Sequence, residues 1–485
     1  MMDPTDEQQQ AIDLFLTGDS LAVEAGAGTG KTSTLVMMAR AAKLRDGQYV
    51  AFNKALVEES KGKFPLTVAS NTAHSLAFRS VGRKYAHRLN SSMRMPSRDI
   101  ASRLGIGYIE ASTFDGKPKT LYPGFLAALA SRAVTNFCQS ADIEIDQRHV
   151  PWQKGLSPEA NLLLKASLVA PAKAMWADLQ GLNGWVPYKH EHYLKTWQLA
   201  DPRIEADYVL FDESQDANPV IAAIVAAQAD HGVQLVYVGD SQQEIYAWTG
   251  AVNALAKVKV ANRSYLTQSF RFGQAIADKA NEVLALLNAE IRLTGNPAID
   301  SRLEYLDLPK AILVRTNATG LTYLLKFQEM GRSAHFVGGA GELLSFARAA
   351  QELKDTGHTS HPDLVCFDSW AAVQDYVAHD EGGEDLRLLV RLMDAFGSAA
   401  IISSLEHMPN ENVAEVVIST AHKAKGREWQ SVQLANDFPQ KADSVPADLR
   451  LLYVAETRAK EVLDSHALME DSPSRLLTPL NEEVH

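Results

Sequence analysis

The chain has 485 residues, 46% of them hydrophobic, and a formal charge of −12. That length exceeds one ordinary core and predicts roughly three or four folding units of about 150 residues each, while the acidic total disfavours a surface that coats nucleic acid indiscriminately and still permits a local basic groove. No apolar run approaches the ~18 residues of a membrane span and the acidic, Gln-rich start has no secretory pattern, so the expectation is a soluble cytoplasmic protein, nuclear if the host is eukaryotic, with no membrane partner.

The first informative stretch is AVEAGAGTGKTSTL, Ala22 to Leu35. An apolar run ends at Glu24, small residues follow, and Lys31 and Thr32 open a segment with helical spacing, so strand, phosphate loop and helix succeed one another as in a Walker A motif. In such a loop the backbone N–H groups of Gly26, Ala27, Gly28, Thr29 and Gly30 converge on phosphate oxygens. Lys31 neutralises the outer phosphates and the Thr32 hydroxyl ligates Mg²⁺. Ala25 stands where the first glycine is usual, and the loop does not itself choose ATP over GTP.

Strand-like YVAF (Tyr49 to Phe52), a Lys-containing helical segment, LTVAS and a helix over Thr72 to Val81 continue a strand–helix alternation that predicts a parallel α/β sheet. Arg79, Arg83, Lys84, Arg88, Arg94, Arg98 and Arg103 form a basic stretch interrupted by Asp99, equally readable as a binding face or a solvated helical face. From 85 to 200 the pattern turns helical, as in Phe125 to Gln139 and Glu159 to Leu168, with Pro and Gly breaks, and reads as an insertion. YVLFDESQDA (Tyr208 to Ala217) and QLVYVGD (Gln234 to Asp240) return to the first domain, which therefore comprises 1–84 and 201–262. A second α/β unit, 263–354 and 412–485, begins near Tyr265 and carries the strands Ala311 to Arg315, His335 to Val337 and Val416 to Thr420. A short helix-leaning insertion occupies 355–411. Cys138 and Cys366 are far apart and without clustered histidines, which argues against a disulfide scaffold, zinc or an iron–sulfur cluster and predicts buried thiols.

FDESQD places Asp212 and Glu213 directly after an apolar strand, where side chains leave the carboxyl edge of a parallel sheet. This is a Walker B arrangement, with Asp212 as a Mg²⁺ ligand and Glu213 as the general base acting on water.

The ordered set of motifs resembles superfamily 1 helicases of the UvrD/Rep class, and the pairing of TAHSLAF with HKAKGREW resembles their F-box DNA helicase branch. The fold implied is two RecA-like α/β P-loop domains, with a helical insertion in the first and a reduced one in the second. TDEQQQAI is similar to the Q motif, which makes Gln8 the reader of adenine. GDSQQEIYAWTGA is similar to motif III, with Gln243 as γ-phosphate sensor and Trp248 stacking on a base. LTQSFRFG is similar to motif IV, placing Phe270 on adenine and Arg271 on the γ-phosphate. STAHKAKGREW is similar to motif V, whose Thr420, His422, Gly426 and Glu428 would join DNA backbone contact to the nucleotide. LLYVAETRAK is similar to motif VI, with Arg458 as a second arginine finger. Asn53 and His74 are further DNA candidates, although His74 reads equally as a helix cap, and Trp248 and Tyr246 also read as core aromatics.

The implied activity is ATP- and Mg²⁺-dependent translocation on single-stranded DNA and unwinding at junctions with duplex, in the 3′→5′ direction, with repair, recombination or replication proteins as partners. Two rivals remain: an RNA or RNA–DNA hybrid motor, and an ATP-switched clamp that strips proteins from DNA without processive unwinding. Thr249 and Ala73 depart from residues frequent in the class, which predicts a thinner base-stacking platform, and Ser33 stands where an Arg is frequent after the Walker threonine. The short stretch after motif VI predicts no appended nuclease domain.

Overall fold

The computed structural model describes residues 3–89, 95–113, 116–153, 156–245, 253–338, 340–361, 363–364, 367–379, 384–439 and 444–468. It divides into two units, Met1–Ala25 with Gly30–Leu266, and Gly26–Thr29 with Thr267–His485. Both are α/β. Among the described residues no single helix is long and apolar enough to cross a membrane.

The strands, in chain order, are β1 (Leu21–Ala25), β2 (Gly47–Ala51), β3 (Val68–Thr72), β4 (Ile109–Ser112), β5 (Pro118–Leu121), β6 (Tyr208–Phe211), β7 (Gln234–Gly239) and β8 (Asn262–Leu266), followed by β9 (Arg302–Leu303), β10 (Ala311–Val314), β11 (Ala334–Val337), β12 (Val416–Thr420), β13 (Trp429–Leu434) and β14 (Ala459–Asp464). The first unit holds a parallel six-stranded sheet of order β3-β2-β6-β7-β1-β8. Its central strands are buried along their whole length, which is why YVLF and QLVYVG read as continuous apolar runs rather than alternating ones. One face packs Tyr49, Tyr208, Leu210 and Val236 on Phe15, Leu35 and Met38 of helices α1 (Asp6–Leu16) and α2 (Lys31–Ala41). The other face, with Val50, Val209, Phe211, Leu235 and Tyr237, shares a core with the helices of the insertion.

Three differences from the sequence expectation have physical causes. Asn262–Leu266, expected to open the second unit, pairs in parallel with β1 along its full length and so closes the first sheet. The helical segment expected over Glu159 to Leu168 runs without interruption from Pro158 to Gln180, through Pro171. Its buried side chains Leu164, Leu168, Ala172, Met175, Trp176 and Leu179 keep helical spacing past the proline, and their packing outweighs the roughly 3 kcal/mol of an interior Pro. Finally, β4 and β5 form an antiparallel hairpin inside the otherwise helical insertion, with Ile109 opposite Leu121.

The second unit has its own parallel sheet, of order β11-β12-β10-β13-β14-β9. Helix Asn317–Glu329 covers one part of it, and helices Gln274–Leu286 and Pro446–Glu456 pack on each other beside it. Helices Trp370–His379, Glu384–Phe396 and Ser398–Glu406 join helix Ala340–Thr356 in a small helical cluster.

Candidate nucleotide site

The site in the first unit is built where β1 and β6 end. Gly30 takes φ 77° as the N-cap of α2, a left-handed conformation that glycine adopts without steric penalty, and the first turn of the helix begins at Lys31. Thr34 donates through its backbone N–H to Gly30 O at 2.9 Å, and the Thr29 hydroxyl donates to Gly26 O at 2.9 Å. The loop thus carries its turn in its own residues, as GTGKT predicts.

Walker A and Walker B residues meet across 180 positions of sequence. Thr32 Oγ1 lies 3.5 Å from Asp212 Oδ2, and Lys31 Nζ lies 3.7 Å from Glu213 Oε1. Asp212 is buried, and its carboxyl is pushed above the usual range by burial and by the adjacent Glu213 carboxylate, against the pull of Tyr49 and Lys31. Glu213 sits at φ 49°, ψ 42°, a left-handed backbone that a residue with a side chain rarely adopts and that persists where its surroundings enforce it. A hydroxyl and a buried carboxylate converging on one point form an all-oxygen pair of hard donors, which suits a Mg²⁺ ion that keeps most of its waters. Thr32 and Asp212 would hold the ion, which supplies positive charge against phosphate oxygens when bound. Among the described residues, no group of three or more His, Cys, Asp or Glu side chains forms a metal cluster.

A second layer of polar contacts joins this pair to motif III, and the sequence reading missed it. Gln215 donates through Nε2 to Glu213 Oε2 at 2.5 Å and accepts at Oε1 from the Asp240 N–H at 3.1 Å. Asp240 Oδ2 in turn accepts from Gln243 Nε2 at 2.7 Å. All three side chains are buried. A Cβ at Gly239 would run into Gln215 Oε1, so the last residue of β7 has to be small. Glu24, at the end of β1, accepts from the Ser241 N–H at 2.7 Å and from the Ser241 hydroxyl at 2.8 Å. Burial, with Asp240 nearby, pushes its carboxyl up to about 7, against Ser241 and Lys31. Gln215 lay in plain view inside FDESQD. Glu24 gave no signal beyond polarity near the end of an apolar strand, and Tyr49, in the middle of β2, gave none.

Gln8, expected to read adenine, is buried in the first unit. Its Oε1 accepts from Thr5 N–H at 3.1 Å in a capping box, and its Nε2 donates to Thr34 Oγ1 at 3.1 Å, which ties α1 to α2. Of the DNA candidates, Asn53 is exposed and caps helix Lys54–Ser60 through Leu56 N–H at 3.0 Å. His74 does not cap its helix, because Thr72 and Ser75 form the capping box. Burial pulls the His74 imidazole below its usual range, and its ring meets Tyr193 edge-on at 6.3 Å. Trp248, Thr249 and Tyr246 lie outside the described residues, as do Cys366 and Arg94. Cys138 is buried.

Arg88 does not belong to the exposed part of the basic stretch. Arg88 is buried and donates to the carbonyls of Asp178, Leu179, Gly181 and Val186, with the Asp178 carboxylate 3.5 Å away. Its guanidinium also lies 4.9 Å from the Tyr188 ring centre. Arg103 sits over Trp185, Lys84 over Tyr85, and Arg79 donates to Asn71. Arg88 thus holds the insertion together from inside, whereas Arg79, Arg83, Lys84, Arg98 and Arg103 are exposed.

In the second unit, Arg271 donates from Nε to Glu428 Oε2 at 2.8 Å and from Nη1 to Thr457 O at 3.0 Å. Glu428 also accepts from Lys460 at 3.1 Å. Burial opposes its charged form, but Lys460 and Arg271 outweigh it and hold the carboxyl below the usual range. Motifs IV, V and VI therefore converge on one cationic cluster. Arg458 is 2% exposed, with Nε on Val454 O at 2.9 Å and Nη2 on Thr457 Oγ1 at 3.1 Å. Thr420 caps the short Ala421–Ala424 helix, Gly426 takes φ 83°, His422 is half-buried, and Phe270 is 38% exposed.

Comparison with known proteins agrees with this architecture. A family model described as AAA domain matches residues 8–249, and one described as UvrD-like helicase C-terminal domain matches 344–464. F-box DNA helicase 1 of Gallus gallus is 32% identical over 99% of this chain and 50% of its own length. F-box DNA helicase protein 1 of Schizosaccharomyces pombe is 29% identical over 95% of this chain and 57% of its own. ATP-dependent DNA helicase PcrA of Bacillus subtilis is 26% identical over 57% of this chain and 39% of its own. The chain thus spans about half the length of the F-box relatives it matches. With a Walker A and B pair on one parallel sheet and motifs IV to VI gathered on a second, this chain belongs to the UvrD-like superfamily 1 helicases.

Proposed function

We propose that this protein is an ATP-driven motor that moves 3′→5′ on single-stranded DNA and opens duplex at junctions. The observation that carries the reading is the relay Glu213–Gln215–Asp240–Gln243, buried from Gln215 onward, which links the general base beside Lys31 to motif III. A nucleotide whose outer phosphates engage Lys31 competes with the Glu213 carboxylate for that ammonium, and Gln215 passes the change in Glu213 to Gln243. Hydrolysis needs little beyond positioned charge and an oriented water, which Lys31 and Glu213 supply. Arg271 and Arg458 act as the cations that report the γ-phosphate, and Trp248 stacks on a base, worth ~1–3 kcal/mol.

The test is ATPase activity titrated with oligonucleotides of defined sugar and polarity, followed by strand displacement from 3′- and 5′-tailed duplexes. Stimulation by single-stranded DNA and opening of 3′-tailed duplex are expected. Equal stimulation by RNA would transfer the reading to an RNA or hybrid motor, and displacement of a bound protein without duplex opening would transfer it to a clamp.

A further inference from the structure

The Walker B carboxylate has a neighbour that no motif contains. Tyr49, on β2, donates its hydroxyl to Asp212 Oδ2 at 2.8 Å. Register brings the two together: β2 and β6 run in parallel with Tyr49 opposite Leu210 and Val50 opposite Phe211, and the Asp212 N–H donates to Val50 O at 3.1 Å. The Tyr49 ring is fully buried, packed against Phe64 with centroids 4.8 Å apart, within a core that includes Leu35, Met38 and Leu210. It has no room to swing away.

The contacts of Asp212 can be followed oxygen by oxygen. Oδ1 accepts from the Glu213 N–H at 2.9 Å. Oδ2 accepts from Tyr49, and the other hydroxyl near it is that of Thr32, 3.5 Å away. A fixed donor on each oxygen sets the plane of the carboxylate.

We propose that Tyr49 is a positioning residue for the Mg²⁺-holding carboxylate: by pinning Asp212 Oδ2 it keeps that oxygen turned toward Thr32, so that the two ligands are preset before nucleotide and metal arrive. Outer-shell partners of this kind orient a metal's protein ligands, and their removal typically lowers metal affinity about 10- to 100-fold. Tyr49 touches neither substrate nor metal, and its effect passes through Asp212. The inference rests on reading Asp212 as a Mg²⁺ ligand.

The experiment uses the full chain with Tyr49→Phe, which deletes one oxygen and leaves the ring in its packing, beside Asp212→Asn as a control. Binding of a methylanthraniloyl-labelled ADP is followed by fluorescence in EDTA and during a MgCl₂ titration. For Tyr49→Phe, nucleotide affinity in EDTA should match wild type, half-saturating Mg²⁺ should rise about tenfold, and turnover should recover toward wild type at high Mg²⁺. An unchanged Mg²⁺ midpoint in Tyr49→Phe, with a shifted one in Asp212→Asn, overturns the role of Tyr49 alone. An unchanged midpoint in Asp212→Asn overturns the ligand reading on which it rests. Equal loss of binding with and without Mg²⁺, or a melting temperature far below wild type, would make the hydroxyl a fold determinant and also overturn the assignment.

Discussion

Glu456 provides a sharp test of the energetics of the second unit. It is the last residue of helix Pro446–Glu456, it is fully buried, and neither carboxyl oxygen has a hydrogen-bond partner among the described residues. Burial pushes its acid up to about 8; of the charges on the facing helix, Lys279 pulls it down and Glu282 pushes it up. A negative charge at a helix C-terminus adds to the penalty. The sign is opposite to that of a salt-bridged carboxylate. The folded state binds a proton that the unfolded chain, with its acid near 4.5, has released. Stability is therefore full below about 4.5, falls as pH rises toward about 8, and stays low above it. A difference of about 3.5 units at ~1.4 kcal/mol each amounts to about 5 kcal/mol as an upper bound. Replacing Glu456 with Gln should leave stability at pH 5 near wild type and raise it by a few kcal/mol at pH 8.5, since the amide carries no charge to bury. Thermal melting of the full chain at several pH values measures this, with amide exchange of Pro446–Glu456 as the local readout. If the gap between wild type and Glu456→Gln were the same at pH 5 and pH 8.5, the carboxyl would not be titrating between folded and unfolded states and the reasoning would be refuted.

Other consequences are more direct. Lys31→Ala should abolish turnover, whereas Glu213→Gln should retain nucleotide binding and slow hydrolysis by orders of magnitude, as measured by phosphate release and equilibrium binding. Gln215→Leu keeps the volume but breaks both links of the relay, so hydrolysis should fall by about 100-fold with nucleotide affinity nearly unchanged; a fall in affinity alone would remove Gln215 from the relay. Arg88→Met takes the guanidinium from several buried carbonyls and from the Asp178 carboxylate, which keeps the Trp185 and Val186 N–H donors, and should destabilise the insertion by about 3–5 kcal/mol in chemical denaturation. A change under 1 kcal/mol would return Arg88 to the exposed basic stretch that the sequence suggested.

What the sequence determined by itself was local. GAGTGKT specifies its own turn, because Gly30 supplies the left-handed residue and the following residues start a helix, and FDESQD puts two acids at the end of a strand whichever sheet holds it. Strand and helix alternation likewise follows from side-chain period, and β12 falls where VVIST said it would. Tertiary structure decided everything that depends on which strands become neighbours. β8 joined the first sheet because its backbone pairs with β1, which no periodicity encodes. Tyr49, Glu24 and Gln215 became parts of the site only when β2 and β7 were set beside β6 and β1 beside β7, and an ordinary-looking tyrosine in an apolar run carries no mark of the carboxylate it will meet. Charge misled for the same reason: Arg88 reads as a surface cation, but the insertion folds around it and turns its guanidinium onto backbone carbonyls. Short-range geometry is written in neighbouring residues, whereas burial and long-range hydrogen bonding belong to the whole chain once it has closed on itself.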